Sequence, residues 1–526
     1  MNLPADLDPV ADLPTRIHEC LDEGALAGRD RIAFVDETGK KWSYADVIAA
    51  RDKMAAELTE LGIRPGDRLM LVCENSIAAI TAVFAASTLD AIVAIINARL
   101  SSREIDAIRD DCMPRRVIYT DLVSANAAEH SERHGASSVD FGAIGALKVS
   151  ELNSECAPSE VFPDNERQIA VLTYTTGTTG RPKGVMLSHR NLGFVGVRNK
   201  RLGVMGPADV GLCLMPIAHS YGFAQMLASV NAATRLIIMP RFDLEPVLDL
   251  ISSGTLTVFG AVPALYRKIV DVCQKSGRSL KPNALRFLLI GTAPLDLSLR
   301  RSIEELFGTV LTNGYGLTET SPTISRSTYT FGSDEIDLGA PISGVEVKII
   351  DDDGNQVPRG EPGELWVRGP NVMLGYFGNP EATSAIFDED GFMNTGDVVR
   401  QSESGVLNIE GRTKELIIKS GFNVYPVEVE AQLNAHPEVL NSAVVGCERN
   451  GDEIVVGFIE GAPGTNVDPG VVRSFVRERL AGYKVPSHIF VVDTLPYSPN
   501  AKILKKQLKD RAAALVQEVE NQKVAT

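Results

Sequence analysis

Thr173 to Gly184 (TYTTGTTGRPKG) gathers hydroxyls, glycines and a cation directly behind the apolar, strand-like IAVL. Gly177, Gly180 and Gly184 let the backbone fold tightly with its N–H groups turned inward. Thr175, Thr176, Thr178 and Thr179 add hydroxyl donors, and Lys183 adds a positive charge. A loop of this kind can cradle a polyphosphate. It is not a Walker A loop, because no Gly-Lys pair is followed by Ser or Thr, and a P-loop NTPase is disfavoured. Asn313 to Thr320 (NGYGLTET) is a second cluster. Tyr315, between Gly314 and Gly316, can lie flat on an adenine, and Glu319 is a hard oxygen donor suited to Mg2+. A tyrosine-bearing turn ahead of a capped helix accounts for the same residues equally well. A third set joins Thr395-Gly396-Asp397 to Gly411-Arg412-Thr413-Lys414-Glu415. Asp397 can accept both hydrogen bonds of a ribose diol, with Arg412 supplying donors nearby. Taken singly, these are a turn acid and a surface cation. Lys502, which follows a Pro-rich turn and precedes a basic helical stretch, reads alone as a solvated lysine.

Long elements must hold these segments. A chain of 526 residues suggests two to four packing units. From residue 30, short apolar runs alternate with helical patterns: RLMLVC, a helix from Asn75, AIVAII, a helix after Ser101, RRVIYT, and later RLIIM, LTVFGA and FLLIG. This rhythm predicts an α/β fold with doubly wound parallel sheets. A hairpin is expected around Glu37–Lys40, followed by a helix capped by Ser43 and Asp46 and closed by Gly62. Between 335 and 410 short strands with frequent glycines (VEVKII, GELWVRG, VLNIEG) predict a small, barrel-like β unit, in which Asp351–Asn355 is an Asx/Gly turn rather than a metal loop. A new α/β pattern after about 413 predicts a separate carboxy-terminal domain whose tail frays after Gln517.

A net charge of −16 is the wrong sign for a nucleic-acid partner but leaves room for a small anionic ligand. Seven widely spaced cysteines without a C-x-x-C pair signal neither disulfides nor zinc, and together with the absence of a secretory signal they point to the cytoplasm. Ser76–Leu89, the most apolar run, is too short to span a bilayer and is expected as a buried helix.

In this order and spacing, the four clusters resemble the adenylate-forming superfamily, most closely its acyl- and aryl-CoA ligases. The likeness runs from about residue 25 to about 510 and rests on YTTGTTGRPKGVMLSH, GYGLTE, TGD, GRTKELI, GFNVYP and the late lysine. It implies two domains, 1–413 and 414–526, the second mobile about a hinge at Lys414. It also implies ATP, Mg2+, CoA and a carboxylic acid as ligands, with a homodimer left open. The loop from Thr175 to Lys183 would hold the ATP phosphates. Tyr315 would stack on adenine near Asn313, Gly314 and Gly316, while Thr318 and Glu319 would meet the α-phosphate and the metal. Asp397 and Arg412 would bind the ribose, and Lys502 would bridge substrate carboxylate and α-phosphate. Ser420, Gly421 and Phe422 would line the CoA tunnel, with His219 where thiol and acyl channels meet, unless it is a packed core histidine. The acyl pocket would draw on Tyr221, Phe223, Val262, Gly291, Thr292, Ala293 and Gly314. None of these is charged, so an apolar fatty or aromatic acid is expected ahead of a dicarboxylate, an option that Arg267 and Lys268 keep open.

The sequence departs from the family pattern at Ser498-Pro499-Asn500-Ala501-Lys502, where a glycine usually precedes the lysine, and at Gly391-Phe392 in place of Trp-Phe. Asp90 and Ile96 stand where glycine and proline are usual, and no aromatic lies near Cys447–Glu453 to stack the CoA adenine. Two rival readings remain: an adenylation enzyme that loads a carrier protein, and a non-catalytic acyl- or nucleotide-binding protein.

Overall fold

The structure is a computed structural model that describes residues 8–176, 182–327, 329–351, 353–419, 422–449, 452–462, 464–465, 467–498 and 502–524. Its largest sheet has eight strands. At the centre, Arg68–Cys73 pairs in parallel with Ile92–Asn97 and Arg116–Tyr119, and Ile92–Asn97 pairs in parallel with Ile169–Thr176. Every residue of Arg68–Cys73 and Ile92–Asn97 is buried, as expected of strands covered on both faces. In this sheet the predicted parallel order holds at the centre. At the edges Ile169–Thr176 turns back antiparallel into Pro182–Ser188, and Ala146–Val149 pairs antiparallel with Arg116–Tyr119 and Ser137–Asp140. Only five residues separate Ile169–Thr176 from Pro182–Ser188, and five separate Ser137–Asp140 from Ala146–Val149, too few for the crossover that a parallel return needs.

A second sheet runs Val258–Ala261, Phe287–Gly291 and Leu311–Tyr315 in parallel, then adds Ser325–Arg326 and Ala340–Pro341 antiparallel. The β unit expected over 335–410 is an antiparallel sheet of Glu346–Ile350, Pro362–Arg368, Met393–Gln401 and Leu407–Arg412. The Asp351 carboxylate closes the turn after its first strand by accepting from the Asp353 and Asn355 N–H groups.

Capping chemistry sets the helix starts as predicted. Ser43 and Asp46 form a reciprocal capping box for Tyr44–Glu60, as do Ser101 and Glu104 for Ser102–Cys112. The apolar run forms the buried helix Ile77–Thr88, capped by Ser76, and among the described residues no helix is long and apolar enough to cross a membrane. Asp90 takes a positive φ of 54°, the conformation a glycine would adopt without strain, and its carboxylate pairs with Arg16.

Beyond residue 413 the chain packs into two apolar clusters of its own, one built on Ile417, Val429, Leu433 and Val444, the other on Phe458, Leu495, Leu508 and Ala512. The last helix, Lys505–Val524, continues past Gln517, where fraying was expected, because no glycine or proline interrupts it.

Candidate active site

The Thr/Gly segment is the tip of a hairpin, with Thr175 opposite Lys183 and Thr176 opposite Pro182. Gly177, Thr178, Thr179 and Gly180 lie outside the described residues. Lys183 Nζ sits 4.5 Å from the centre of the Tyr376 ring. The Tyr376 hydroxyl in turn donates to Glu319 Oε1 at 2.9 Å. Tyr376 belongs to the short strand Gly375–Tyr376, which lines up beside Val185 and Met186 on the return arm of the hairpin. Lys183 and Glu319 therefore share one tyrosine.

Glu319 lies in the single turn Thr318–Thr320 that ends the strand carrying Tyr315. Thr318 Oγ1 is 3.4 Å from Ser220 Oγ. Gly316 is required there, because a Cβ would fall 1.8 Å from the Pro322 carbonyl oxygen. Asn313 is fixed by its N–H on Ser327 Oγ at 2.7 Å and its amide on the Asp337 carbonyl at 3.3 Å.

Asp397 has both carboxylate oxygens assigned. The Tyr315 hydroxyl donates to Oδ2 at 2.6 Å, and Arg412 Nε donates to Oδ1 at 2.7 Å from the facing strand position. Burial, with Asp397 beside it, holds the Tyr315 phenol protonated well above its usual range, and Arg412 is raised against burial by Asp397 and Glu415. Asp397 is 1% exposed, while the Arg412 side chain that holds it is half exposed at the open side.

Lys502 reaches the same place from the carboxy-terminal unit. The segment carrying it folds back on itself, with the Ser498 N–H on the Lys502 carbonyl at 2.7 Å and the Leu504 N–H on the Pro496 carbonyl at 2.8 Å. Lys502 is exposed at its surface yet within electrostatic reach of the site: desolvation, followed by repulsion from Arg412, lowers its pKa against the pull of Glu319 and Asp397. His219 lies within its field as well. His219 caps Ser220–Asn231, its Nδ1 accepting the Tyr221 N–H at 3.3 Å, which leaves Nε2 to carry the proton of the neutral ring. Burial, assisted by Lys502, depresses the His219 pKa to about 3.

Five predicted residues, Glu319, Asp397, Arg412, His219 and Lys502, thus converge on one cleft. Lys414 stands exposed in the turn Thr413–Glu415 immediately after Arg412. Phe422 is 55% exposed and stacks on Tyr483 at 4.8 Å, while Ser420 and Gly421 lie outside the described residues.

A small cavity of about 50 Å3, open to solvent, adjoins the site. Of the predicted acyl positions, only Tyr221 lines it. Val262 packs in the apolar cluster behind its wall, and Phe223 belongs to the main core. Gly291 is tight against the Gly314 carbonyl, Thr292 adopts a φ of 76°, and Ala293 is exposed beyond the strand end. The lining instead includes Arg198, Asn199, Gln225 and Arg326, none of which the sequence flagged. Arg267 and Lys268, which it did flag, are engaged elsewhere, on Asp296 and over Phe242. Tyr376 was also missed. The available signals were faint: a second Gly-Tyr pair, and an arginine amid Ser, Thr and Ile in SPTISRS.

Among the described residues no group of three or more His, Cys, Asp or Glu could hold a metal by itself. A lone oriented carboxylate, Glu319, nevertheless suits Mg2+, which typically takes one or two carboxylates and fills its shell with phosphate and water.

The Tyr315–Asp397–Arg412 cluster, the neighbouring Glu319 and Lys502 of a separately packed carboxy-terminal unit make one candidate site. The chain belongs to the AMP-binding enzyme family, whose profile matches residues 21–377, with the AMP-binding enzyme C-terminal domain matching 428–502. It is 32% identical to 4-coumarate–CoA ligase 5 of Oryza sativa subsp. japonica over 95% of either chain. It is 31% identical to 4-coumarate–CoA ligase of Vanilla planifolia, over 91% of this chain and 90% of that one. Among solved structures, ATP-bound MatB from Rhodopseudomonas palustris superposes with a TM-score of 0.80 at 28% identity, covering 94% of this chain and 99% of that one. O-succinylbenzoate CoA synthetase from Bacillus subtilis, with ATP and magnesium, gives 0.79 at 29%, covering 93% and 99%.

Proposed function

We infer that the protein is an AMP-forming carboxylate–CoA ligase acting on a mainly apolar fatty or aromatic acid. The observation that carries this reading is the hydrogen-bonded cluster of Asp397 with Tyr315 and Arg412, next to Glu319 held by Tyr376, with Lys502 of the separately packed carboxy-terminal unit in electrostatic reach of it. In the first step a carboxylate oxygen of the acid attacks the α-phosphorus of ATP, and pyrophosphate leaves. Two anions approach each other, and charge builds on the phosphoryl oxygens. Lys502 answers that charge where it develops, so it lowers the barrier rather than merely tightening binding. Asp397, oriented by Tyr315 and Arg412, accepts the ribose hydroxyls, and Tyr315 offers its ring face to adenine, with Asn313, Gly314 and Gly316 around it. Thr175, Thr176 and Lys183, with the loop tip, hold the departing phosphates. Glu319, steadied by Tyr376, and Thr318 would hold Mg2+, whose charge offsets that of the pyrophosphate. In the second step the CoA sulfur attacks the acyl carbon, and AMP leaves with the bridging oxygen.

We assign residues 1–413 and 414–526 to two domains, with Lys414 as the hinge that removes Lys502 and brings Phe422 and its neighbours to the thiol. The separate cores support that boundary. Lys414→Pro should spare adenylation, read as pyrophosphate exchange, and cut thioester formation about 100-fold. Equal loss in both would count against alternation. Seven buried free cysteines support a cytoplasmic setting. A homodimer is tested by light scattering of the intact protein.

The ligase reading is tested by incubating the protein with ATP, Mg2+, CoA and a pool of fatty, benzoic and cinnamic acids. Acyl-CoA matched one-to-one by AMP is the expected result. Adenylate without thioester would point to a carrier protein instead, and no nucleotide turnover would point to a binding protein.

A further inference from the structure

Between the strand Val210–Cys213 and the helix Ser220–Asn231 the backbone runs without regular structure, and Leu214, Met215 and Ile217 in it are buried. A buried loop must find partners for its own N–H and C=O groups. One side chain from another sheet supplies several of them. Asn75, buried just past the central strand Arg68–Cys73, donates through Nδ2 towards the carbonyls of Cys213, Met215 and Met239 at 3.2, 3.1 and 3.3 Å. Its Oδ1 accepts the Ile217 N–H at 2.9 Å. Cys213 ends one strand and Met239 follows its parallel neighbour Arg235–Ile238, so this amide joins the end of a second sheet to the first. The preceding residue, Glu74, fixes the same junction by pairing with Arg99 and Arg241 at 2.7 and 2.9 Å. The helix that follows holds the loop as well. At Gly222 a Cβ would fall 2.3 Å from the Pro216 carbonyl oxygen and 2.5 Å from that of Met215.

The loop delivers three consecutive residues to three different neighbours. His219, whose N–H donates to the Pro216 carbonyl at 2.9 Å, lies within electrostatic reach of Lys502. Ser220 Oγ is 3.4 Å from Thr318 Oγ1, and Tyr221 lines the cavity. The segment therefore links the cavity wall to the side of the site where Thr318 and Lys502 act, and an acid held in the cavity presents its carboxylate along it. Reacting groups that are misplaced by a fraction of a bond length react slowly, so a segment at this position has to be held rigidly.

We propose that Asn75 is a positioning residue for the carboxylic acid: it sets the His219–Tyr221 segment and, through it, the placement of the acid's carboxylate against Lys502. The proposal rests on the ligase reading and adds to it a residue that is not among those lining the cavity and that belongs to none of the nucleotide-binding clusters.

Pyrophosphate exchange by the intact enzyme, with the most active acid of the fatty, benzoic and cinnamic pool, separates acid use from ATP use. Asn75→Ala should lower kcat/KM for the acid at least about tenfold, while the KM for ATP changes by less than about twofold. Gly222→Ala, which displaces the same loop from the helix side, should give the same split. Ile108→Ala, a core truncation packed against the first sheet and away from the loop, controls for lost stability and should leave both constants unchanged at a temperature where it is folded. Equal loss for acid and ATP in Asn75→Ala, or an acid kcat/KM unmoved by it, would overturn the proposal while leaving the ligase intact. If Asn75→Ala does not fold, Asn75→Ser, which keeps a hydroxyl in the same space, is read by the same two outcomes. Failure of the wild-type enzyme to exchange pyrophosphate with any acid would instead remove the ligase reading, and this proposal with it.

Discussion

The nucleotide platform and the acyl cavity meet at neighbouring residues of one strand pair, yet they are built on opposite principles. At the platform the chain satisfies itself: Asp397 has a partner on each oxygen, Glu319 is held by Tyr376, and Tyr376 underlies Lys183. In the cavity Arg326 donates through Nη1 to Asn199, while its buried Nε has no hydrogen-bond partner among the described residues. A site for a ligand that never changes can be finished in advance, which lowers the cost of binding. A site that selects among related acids keeps one demand unmet, and only the right acid supplies it.

Five substitutions probe this contrast. The largest effect is expected from Lys502→Met, which should cut pyrophosphate exchange about 1000-fold while sparing conversion of supplied acyl-adenylate to thioester. Because the Lys502 pKa is lowered, its charge is lost as pH rises through a value below the usual lysine range. Adenylation in the wild-type enzyme should therefore fall at high pH, and Lys502→Arg should extend the alkaline limb. Asp397→Asn removes the charge and replaces one of the two acceptor oxygens shared by Tyr315 and Arg412 with a donor, and should cost about 2–3 kcal/mol in kcat/KM for ATP, with the KM of the acid unchanged. A comparable rise in the acid KM would mean the two regions are not separable.

His219 lies at their border and tests electrostatics through folding. Below its ordinary pKa of 6.5 the unfolded chain takes up a proton that the folded ring refuses until about pH 3, so stability falls as pH falls through that window. His219→Asn keeps an N-cap acceptor and should remove about 2 kcal/mol of that loss between about pH 7 and about pH 5, read from denaturant melts. The smallest effect falls on the cavity wall. A Cβ at Gly260 would meet Gln225 Nε2 at 2.7 Å and Tyr221 Oη at 2.8 Å, so Gly260→Ala should raise the acid KM about tenfold and leave the KM for ATP alone.

The two regions were also unequally legible in the sequence. The platform is written in contiguous runs, NGYGLTET, TGD and GRTKE, where glycines, acids and a tyrosine of fixed spacing announce turns and donors. Capping boxes and all-apolar strands likewise declared themselves, because each depends on residues a few positions apart. The cavity is assembled from Arg198 on a helix, Gln225 on another and Arg326 on a two-residue strand, whose adjacency follows only from sheet order. An arginine carries no local mark of being buried. The antiparallel sheet edges escaped for a related reason, since a strand's pairing partner depends on the turn that follows it.

The central claim is that the acid's own oxygen attacks the α-phosphorus. The direct measurement is to supply a turned-over acid with both carboxylate oxygens labelled with 18O and to weigh the released AMP by mass spectrometry. The account predicts one labelled oxygen in each AMP formed with acyl-CoA. Unlabelled AMP, or label found in phosphate alongside ADP, would contradict it.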